Sequence, residues 1–242
     1  LWAPPGEIPE NVTCASFPEE SFWLKEMMGS GGIAHMIRSD LLKSLGKVLR
    51  LLVLLRKSYT RNMHVDVIHA NWLQNTLPLW GIRKPLVVSV LGSDFGLLKI
   101  PGMTSLLRMV FSQRKCILAP NASWMTNELE RLFGDIARIL PIPFGVDNRW
   151  FEIQRSYNLS CRRKWLVISR LTHEKIGPLF SWGEGLFSHE DELHLFGPMM
   201  DDLTLLGWVR YHGPATPQEL VECWFPTAAG LLTLSRHDEG RP

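Results

Sequence analysis

Short apolar runs, separated by longer and mostly amphipathic stretches, dominate the pattern of this sequence. Four runs have the length and the β-branched content of buried parallel strands, at residues 65–70, 86–90, 116–119 and 165–168. Residues 72–81 and 121–133 have helical character. This alternation of strands and helices predicts an α/β fold built on doubly wound parallel sheets.

A stretch that contains proline and glycine, residues 141–147, marks a predicted boundary, and the polar residues 150–163 behind it form a predicted linker. Further elements are predicted beyond it: strands at residues 194–196, 208–211 and 231–234 and a short helix at residues 217–225. We therefore expect two domains, residues 1–150 and residues 151–242.

Residues 41–56 have the period of an amphipathic helix. Its predicted apolar face carries Leu41, Leu45, Val48, Leu49, Leu52 and Leu55, and another face carries Lys43, Lys47, Arg50 and Lys57. Two interpretations stay open. The helix packs on the sheet with its lysines in solvent, or it lies on an anionic membrane surface.

Two cations follow the predicted strand at residues 165–168. Arg170 comes almost directly after the strand, and Lys175 lies five positions further, where a helix is expected to begin. Open α/β sheets build anion sites from such loops and helix N-termini. Arg170 can bind two phosphate oxygens and Lys175 supplies a compact point charge, so this pattern predicts a phosphate site. A strand that is followed by solvated basic residues is the alternative.

Length and composition narrow the classes of function. The 242 residues are 45% hydrophobic, which is enough for one large or two modest domains. A net charge of +2 argues against a nucleic-acid-binding protein. The cysteines are scattered without a C-x-x-C motif, which predicts reduced thiols in a cytoplasmic protein and no zinc site. No apolar run reaches the ~20 residues that a membrane-spanning helix needs.

Residues 29–34, Gly-Ser-Gly-Gly-Ile-Ala, fit the G-x-G-x-x-A fingerprint of dinucleotide-binding folds. The residues before them make a poor strand, and no acidic residue ends a second strand ~20 positions later. A nicotinamide-dependent oxidoreductase is therefore a less favoured function. The other interpretations of this stretch are a flexible loop before a helix and a glycine-rich loop beside a diphosphate.

Two stretches resemble motifs of one enzyme family. Residues 169–175, Ser-Arg-Leu-Thr-His-Glu-Lys, are similar to the G-R-L-x-x-E-K motif of retaining glycosyltransferases of the GT-B fold, family four. Residues 231–242, which include Glu239 and Gly240, resemble the family's strand, its P-S-x-x-E-G turn and the start of its E-x7-E motif. Three further matches follow in the family's order, at residues 66–70, 90–94 and 141–147.

The resemblance implies the transfer of a sugar from a UDP-sugar or GDP-sugar to a hydroxyl of a glycan or lipid-linked acceptor. The anomeric configuration would be retained, and neither a metal nor a cofactor would be needed. The implied catalytic residues are Arg170 and Lys175, which stabilise charge on the diphosphate leaving group, and Glu239, which contacts the donor sugar. The other implied site residues are Gly197, Tyr211, His212 and Gly240 on the donor side and His69, Gly92, Ser93 and Asp94 on the acceptor side.

Leu91 departs from the family, which often has a histidine at this position, so no acceptor-side catalytic histidine is carried over there. The resemblance also implies an N-terminal domain without its first elements and a partial C-terminal domain, because the second carboxylate of E-x7-E would be residue 247. We therefore expect little transferase activity from residues 1–242 alone. A cytoplasmic or membrane-associated hexosyltransferase of polysaccharide biosynthesis is implied, and a non-catalytic sugar-nucleotide-binding fragment is the alternative.

Overall fold

The computed structural model describes residues 1–4, 10–29, 41–156, 162–176, 178–187 and 190–233. The chain divides into two compact units, one that ends at Phe144 and one that begins at Gly145. Each unit is built on a parallel sheet that has four strands within the described residues. The predicted α/β fold class with two parallel sheets is therefore confirmed.

The first unit follows the predicted alternation. Its elements in chain order are α1 (Pro18–Gly29), α2 (Leu41–Arg61), β1 (Ile68–Asn71), a 3-10 helix (Leu73–Leu79), β2 (Leu86–Val90), a 3-10 helix (Ser93–Lys99), α3 (Met103–Phe111), β3 (Cys116–Pro120), a 3-10 turn (Ser123–Met125), α4 (Thr126–Phe133) and β4 (Arg138–Ile139). The strands lie in the order β1-β2-β3-β4, and every pairing is parallel. The predicted helix at residues 72–81 is a shorter 3-10 helix that contains Pro78, a residue that an α-helix interior does not tolerate.

The core of this unit lies between the sheet and the helices that follow the strands. Leu86, Val88 and Val90 of β2 are buried, as their alternation along the strand predicts. They pack with Phe111 of α3 and Phe133 of α4, whose rings meet edge to face with centroids 5.3 Å apart. This packing fixes the positions of β2 and β3, and therefore of the loops that follow them.

Helices α1 and α2 form a separate apolar cluster. Trp23, Leu24 and Met27 of α1 pack against Leu51 and Leu55 of α2. The guanidinium of Arg61 on α2 also donates to the carboxylate of Glu20 on α1 at 2.9 Å. These apolar contacts and this ion pair hold α1 against α2.

The predicted apolar face of α2 is only partly right. Leu55 is buried, but Leu45 and Leu49 are each 55% exposed, and Val53 is 54% exposed. The reason is the position of α1, which covers the side of α2 that carries Leu51 and Leu55. Among the helices of the described residues, none combines the length and the apolar character that crossing a bilayer requires.

The second unit has its own sheet, in which the strand order reverses. Its elements are a 3-10 turn (Asn148–Trp150), β5 (Arg163–Ile168), α5 (His173–Ile176), α6 (Leu179–Trp182), β6 (Asp191–Phe196), β7 (Val209–Tyr211), α7 (Pro217–Glu219), a π-helical turn (Leu220–Trp224), a 3-10 turn (Phe225–Thr227) and β8 (Ala228–Leu231). The order is β7-β6-β5-β8, and all pairings are parallel. The chain thus runs outward from β5 to β7 and then returns to the other side of β5, as in a doubly wound sheet.

The predicted strand at residues 231–234 is wrong in position. The strand is β8, Ala228–Leu231, and Leu232 already lies beyond it, with its amide donating to the carbonyl of Leu166 at 2.8 Å. Gly230 explains the shift, because a Cβ there would lie 2.7 Å from the ring of Trp165. Small residues with little strand propensity therefore fill the place beside β5.

Successive side chains of β6 serve two different cores. Leu193 and Leu195 point into one apolar cluster, and Phe196 points into the other together with Leu166 and Leu220. Both faces of the sheet are thus covered. One titratable group, His194, lies in the same row of β6 as Phe196 and is buried.

Candidate functional site

The carboxyl ends of β5 and β8 mark the point where the strand order of the second sheet reverses. In open α/β sheets, ligands bind outside the carboxyl ends of the strands at this switch point. Ser169 and Arg170 directly follow β5, and Leu232 and Thr233 directly follow β8. The side chain of Arg170 is exposed, and its guanidinium has no hydrogen-bond or ion-pair partner among the described residues. The structure therefore places an available cation at the position where this fold binds ligands.

The turns after β5 and β6 lie in close contact at the same edge. Gly197 has a φ of +122°, and a Cβ at this position would lie 1.9 Å from the carbonyl oxygen of Ser169. The amide of Gly197 donates to the carbonyl of Gly213 at 2.8 Å, which joins the turn after β7 to the same assembly. Only glycine fits here, which gives Gly197 a steric role in the fold, and its contact with the donor stays a prediction.

The first turn of α5 uses its amides within the chain. The amide of His173 donates to Oδ2 of Asp201 at 2.8 Å, and the amide of Lys175 donates to Oγ1 of Thr172 at 3.1 Å. The sequence predicted that these amides help to hold an anion, whereas in the structure they donate to the side chains of Asp201 and Thr172. A phosphate at this edge would therefore depend on the side chains of Arg170 and Lys175.

Tyr211 ends β7, His212 follows it directly, and both lie next to Gly197. The hydroxyl of Tyr211 donates to the carbonyl of Gly197 at 3.0 Å. The amide of His212 donates to the carbonyl of Leu195 at 3.0 Å, and its ring centroid lies 4.8 Å from that of Phe196. The structure thus brings Gly197, Tyr211 and His212 together at the carboxyl edge, whereas Glu239 and Gly240 lie outside the described residues.

Asp94, a predicted acceptor-side residue, is buried and bound to backbone amides. Its Oδ2 accepts from the amide of Leu73 at 2.9 Å, and its Oδ1 accepts from the amide of Leu91 at 3.0 Å. Burial raises the pKa of this carboxyl, and the bonds from Leu73 and Leu91 act in the opposite direction. The geometry gives Asp94 a structural task, which is to tie the loop after β1 to the loop after β2.

The other predicted acceptor-side residues lie around Asp94. Gly92 has a φ of +95°, which favours glycine, and Ser93 begins the following 3-10 helix. His69 lies within β1 and not at its end, on the exposed side of the strand, and its Nε2 is 2.9 Å from Oγ of Ser89. Gly92 and Ser93 thus stand at the carboxyl edge, and His69 stands two residues before the end of its strand.

Trp72, which follows β1 directly, was not among the residues predicted from the sequence. Within the described residues, Trp72 is the only non-glycine residue with a positive φ, which is +67°. Its neighbour Leu73 donates to Asp94, and its own amide donates to the carbonyl of Ser89 at 2.9 Å. Strained backbone of this kind is held in place by its surroundings and concentrates at functional sites. No signal in the sequence reveals a positive φ at a tryptophan.

A groove of about 860 Å³ in the first unit lies away from these residues. It is lined at the opposite ends of the strands by residues that include Val67, Leu86, Cys116 and Arg138. None of the predicted site residues contributes to its lining. Across the described part of the chain, no cluster of three or more His, Cys, Asp or Glu side chains could hold a metal ion.

Comparisons with known proteins give similarity in structure only. No family model matches the sequence, and no curated protein matches it. Alr3699/HepE of Anabaena in complex with UDP-glucose is 12% identical with a TM-score of 0.46, and its complex with UDP is 12% identical with a TM-score of 0.45; both alignments cover 67% of this chain and 52% of that protein. The lipopolysaccharide outer core galactosyltransferase WaaB, in its apo form, is 12% identical with a TM-score of 0.48, over 82% of this chain and 57% of that one.

This chain therefore spans about half the length of the structures that it matches. Similarity at 12% identity and a TM-score below 0.5 does not establish a shared activity.

Proposed function

We propose that this chain forms part of a glycosyltransferase that uses a nucleoside diphosphate sugar and binds the diphosphate at the carboxyl edge of the second sheet. The observation that carries the proposal is the position of Arg170, whose exposed guanidinium lies two residues after the end of β5, at the switch point of the sheet. The ordered series of sequence motifs from residue 66 onward supports the same function. Gly197 supports it as well, because it allows the backbone of the two neighbouring turns to meet at this edge.

The proposed reaction requires the protein to stabilise the charge that develops on the leaving group. Negative charge gathers on the diphosphate as the bond to the sugar breaks, and preorganised cations lower the energy of that transition state. Arg170 would bind two phosphate oxygens, and Lys175 would add a second positive charge. These two side chains can act without a metal. We also propose that the reaction retains the anomeric configuration and that the transferred sugar is a hexose.

The first unit would present the acceptor hydroxyl, which we propose belongs to a glycan or a lipid-linked sugar. Asp94 would act there by fixing the loops that begin with Leu73 and Leu91, since its own oxygens are already engaged. Gly92 and Ser93 would lie nearest to the acceptor. Glu239 keeps the role that its motif implies, a contact to the donor sugar.

We also propose peripheral contact with a membrane on the cytoplasmic side. Leu45, Leu49 and Val53 are spaced four residues apart on α2, and all are exposed. Such a stripe on a helix that carries several lysines and arginines is typical of helices that lie at an anionic lipid surface. A lipid-linked acceptor would be reached from that position.

Isothermal titration calorimetry of the chain with UDP and GDP tests the central proposal. We expect one of them to bind, and we expect the Arg170→Ala variant to bind it at least tenfold more weakly. Arg131→Ala is a matched control, because Arg131 is an exposed arginine of the first unit that pairs with Glu128 on its own helix. Absence of binding for both nucleotides, or equal affinity in the wild type and Arg170→Ala, would refute the proposed site.

A further inference from the structure

Three titratable side chains form a hydrogen-bonded line from Glu192, near the amino end of β6, through His194 to His212 at the carboxyl edge of the second sheet. Nε2 of His194 lies 3.3 Å from Oε2 of Glu192, and Nδ1 of His194 lies 2.9 Å from Nε2 of His212. The imidazole planes of the two histidines differ by 11°, and their centroids are 5.1 Å apart. The two nitrogens are 2.9 Å apart, whereas the ring centroids are 5.1 Å apart and the planes are nearly parallel. The rings therefore meet edge to edge, which is the geometry of an in-plane hydrogen bond.

The surroundings hold this line in place. His194 is only 3% exposed, and Trp224 covers the row, with ring centroids 5.0 Å from His194 and 4.7 Å from His212. Phe196 lies parallel to His212 on the same face. Neither histidine can turn its ring without breaking aromatic contacts together with the hydrogen bonds.

Charged groups around this line keep Glu192, its first residue, in the ionised form. Arg162 and Arg210 both donate to Oε1 of Glu192, at 3.0 Å and 2.8 Å. These partners lower the pKa of Glu192 against the effect of burial, so its carboxylate is ionised and can only accept. Within the described residues, two further charged groups face the row: Lys164, whose ammonium lies 5.7 Å from the Trp224 ring centroid, and Glu219.

The proton positions then follow in order. Because Glu192 only accepts, Nε2 of His194 carries the proton, and Nδ1 of a neutral His194 is a bare acceptor. Nε2 of His212 must then carry the proton that it donates to His194. Burial lowers the pKa of both histidines, which favours the neutral rings. A neutral His212 is thereby left with a bare Nδ1.

This nitrogen has no partner within the described residues, and His212 is exposed at the carboxyl edge. Tyr211 and Gly197 lie beside His212, so its Nδ1 belongs to the same surface as the proposed binding site for the nucleoside diphosphate sugar. We propose that Glu192 and His194 fix His212 in the Nε2–H tautomer, and that its Nδ1 selects a nucleobase with a ring N–H group. This inference rests on the proposed function, since it assumes that a nucleoside diphosphate binds at this edge.

The chemistry separates the bases into two groups. Uracil and guanine each carry a ring N–H that can donate to Nδ1 of His212, whereas the corresponding ring nitrogens of cytosine and adenine are acceptors. Two facing acceptors repel, and a base that covers Nδ1 of His212 without donating to it removes that nitrogen from water and leaves it without a partner, which is costly. A site that reads one hydrogen bond in this way discriminates strongly against a ligand that lacks the donor. Glu192 and His194 are positioning residues in this scheme, because they act through His212.

Nitrogen-15 NMR of the histidine side chains tests the tautomer without any ligand. At neutral pH we expect His212 and His194 both as the Nε2–H tautomer, and the His194→Phe variant should let His212 exchange between both tautomers. His173, which is exposed, serves as the reference for an unrestrained ring. An Nδ1–H tautomer or a protonated ring at His212 in the wild type would overturn the inference.

Calorimetry with UDP and N3-methyl-UDP tests the selection. The methyl group removes the ring N–H, so the wild type should bind UDP at least tenfold more tightly than N3-methyl-UDP. His212→Phe keeps an aromatic ring against Phe196 and should reduce this ratio to near one. An equal ratio in the wild type and the variant, or no discrimination by the wild type, would overturn the inference while UDP binding itself upholds the proposed function. Failure of the wild type to bind either UDP or GDP would instead refute the proposed function, and the inference with it.

Discussion

The carbonyl oxygen of Ser169 occupies the space where a side chain at Gly197 would begin, 1.9 Å from an ideal Cβ. Because the obstructing atoms belong to the backbone, they cannot move aside as a flexible side chain could. The contact joins the turns after β5 and β6 at the proposed diphosphate site. Stability and ligand binding should therefore both respond to a change at this position.

We expect Gly197→Ala to lower the free energy of unfolding of the second unit by about 2 to 4 kcal/mol, from backbone strain and overpacking together. Gly213→Ala is the matched control, since Gly213 has a φ of +77° but open space around its Cβ, and it should lose only about 1 kcal/mol. Urea denaturation followed by tryptophan fluorescence measures both. Equal losses in the two variants would show that the contact with Ser169 does not matter.

Asp94→Ala should destabilise the first unit by roughly 2 to 5 kcal/mol, because the amides of Leu73 and Leu91 would be left without acceptors. Asp94→Asn should cost less, about 1 to 3 kcal/mol, since one amide keeps its acceptor. Urea denaturation measures these losses. Asp135→Asn, which changes an exposed pair with Arg108, should leave the midpoint nearly unchanged.

The pH dependence of Asp94 provides a separate check. Its pKa is raised in the folded state, so protonated Asp94 favours folding, and this contribution is lost as pH rises from the unfolded pKa through the raised folded pKa. The stability advantage of the wild type over Asp94→Asn should therefore be largest in acid and should shrink toward neutral pH. Denaturation midpoints at a series of pH values decide this, and an advantage that grows with pH would contradict the assigned environment.

Arg170→Ala and Lys175→Ala should each weaken the binding of the preferred nucleoside diphosphate by about 1.5 to 3 kcal/mol, the range for hydrogen bonds to charged groups. Arg170→Lys should recover only part of the loss, because an ammonium cannot bind two oxygens in the way that a guanidinium does. Calorimetry with the diphosphate and the matching monophosphate measures the effect. Equal losses for both nucleotides would place the two cations away from the second phosphate.

The exposed stripe on α2 should mediate binding to anionic vesicles. We expect the Leu49→Asp, Val53→Asp double variant to reduce co-sedimentation with vesicles of phosphatidylcholine and phosphatidylglycerol several-fold, because both apolar area and net positive charge are lost. Leu106→Asp changes an exposed leucine on α3 and is the control. Binding that survives the double variant would argue against this surface.

Sequence alone defined the parts of the fold where composition and local pattern agree. β2, Leu86–Val90, is where the sequence predicted it, because its run of β-branched residues is buried at alternate positions. β8 was misplaced because its position depends on Trp165, a contact between distant residues that favours glycine and alanine over good strand formers. The exposed leucines of α2 have the same explanation, since the position of α1 decides which side of the helix is covered.

The candidate site shows the same division. The position of Arg170 after a strand could be predicted from the residues and that of Gly197 from the family resemblance, and their roles at a donor site stay predictions. The engagement of Asp94 with two amides could not, because it depends on how far the loop after β1 reaches. The pairing of His194 with His212 likewise follows from the register of β6 and β7, in which His194 is opposite Arg210, two residues before His212.

The position of β8 beside β5 also bears on how the protein is made. β8 is the last strand of the described chain to leave the ribosome, yet its partner β5 is the first strand of the second sheet. During synthesis, β5, β6 and β7 can pair early, while one side of β5 keeps unpaired amides and carbonyls until Leu231 has emerged. The nascent second unit therefore passes through a stage with an open central edge, at which chaperone binding or misassociation competes with completion of the sheet.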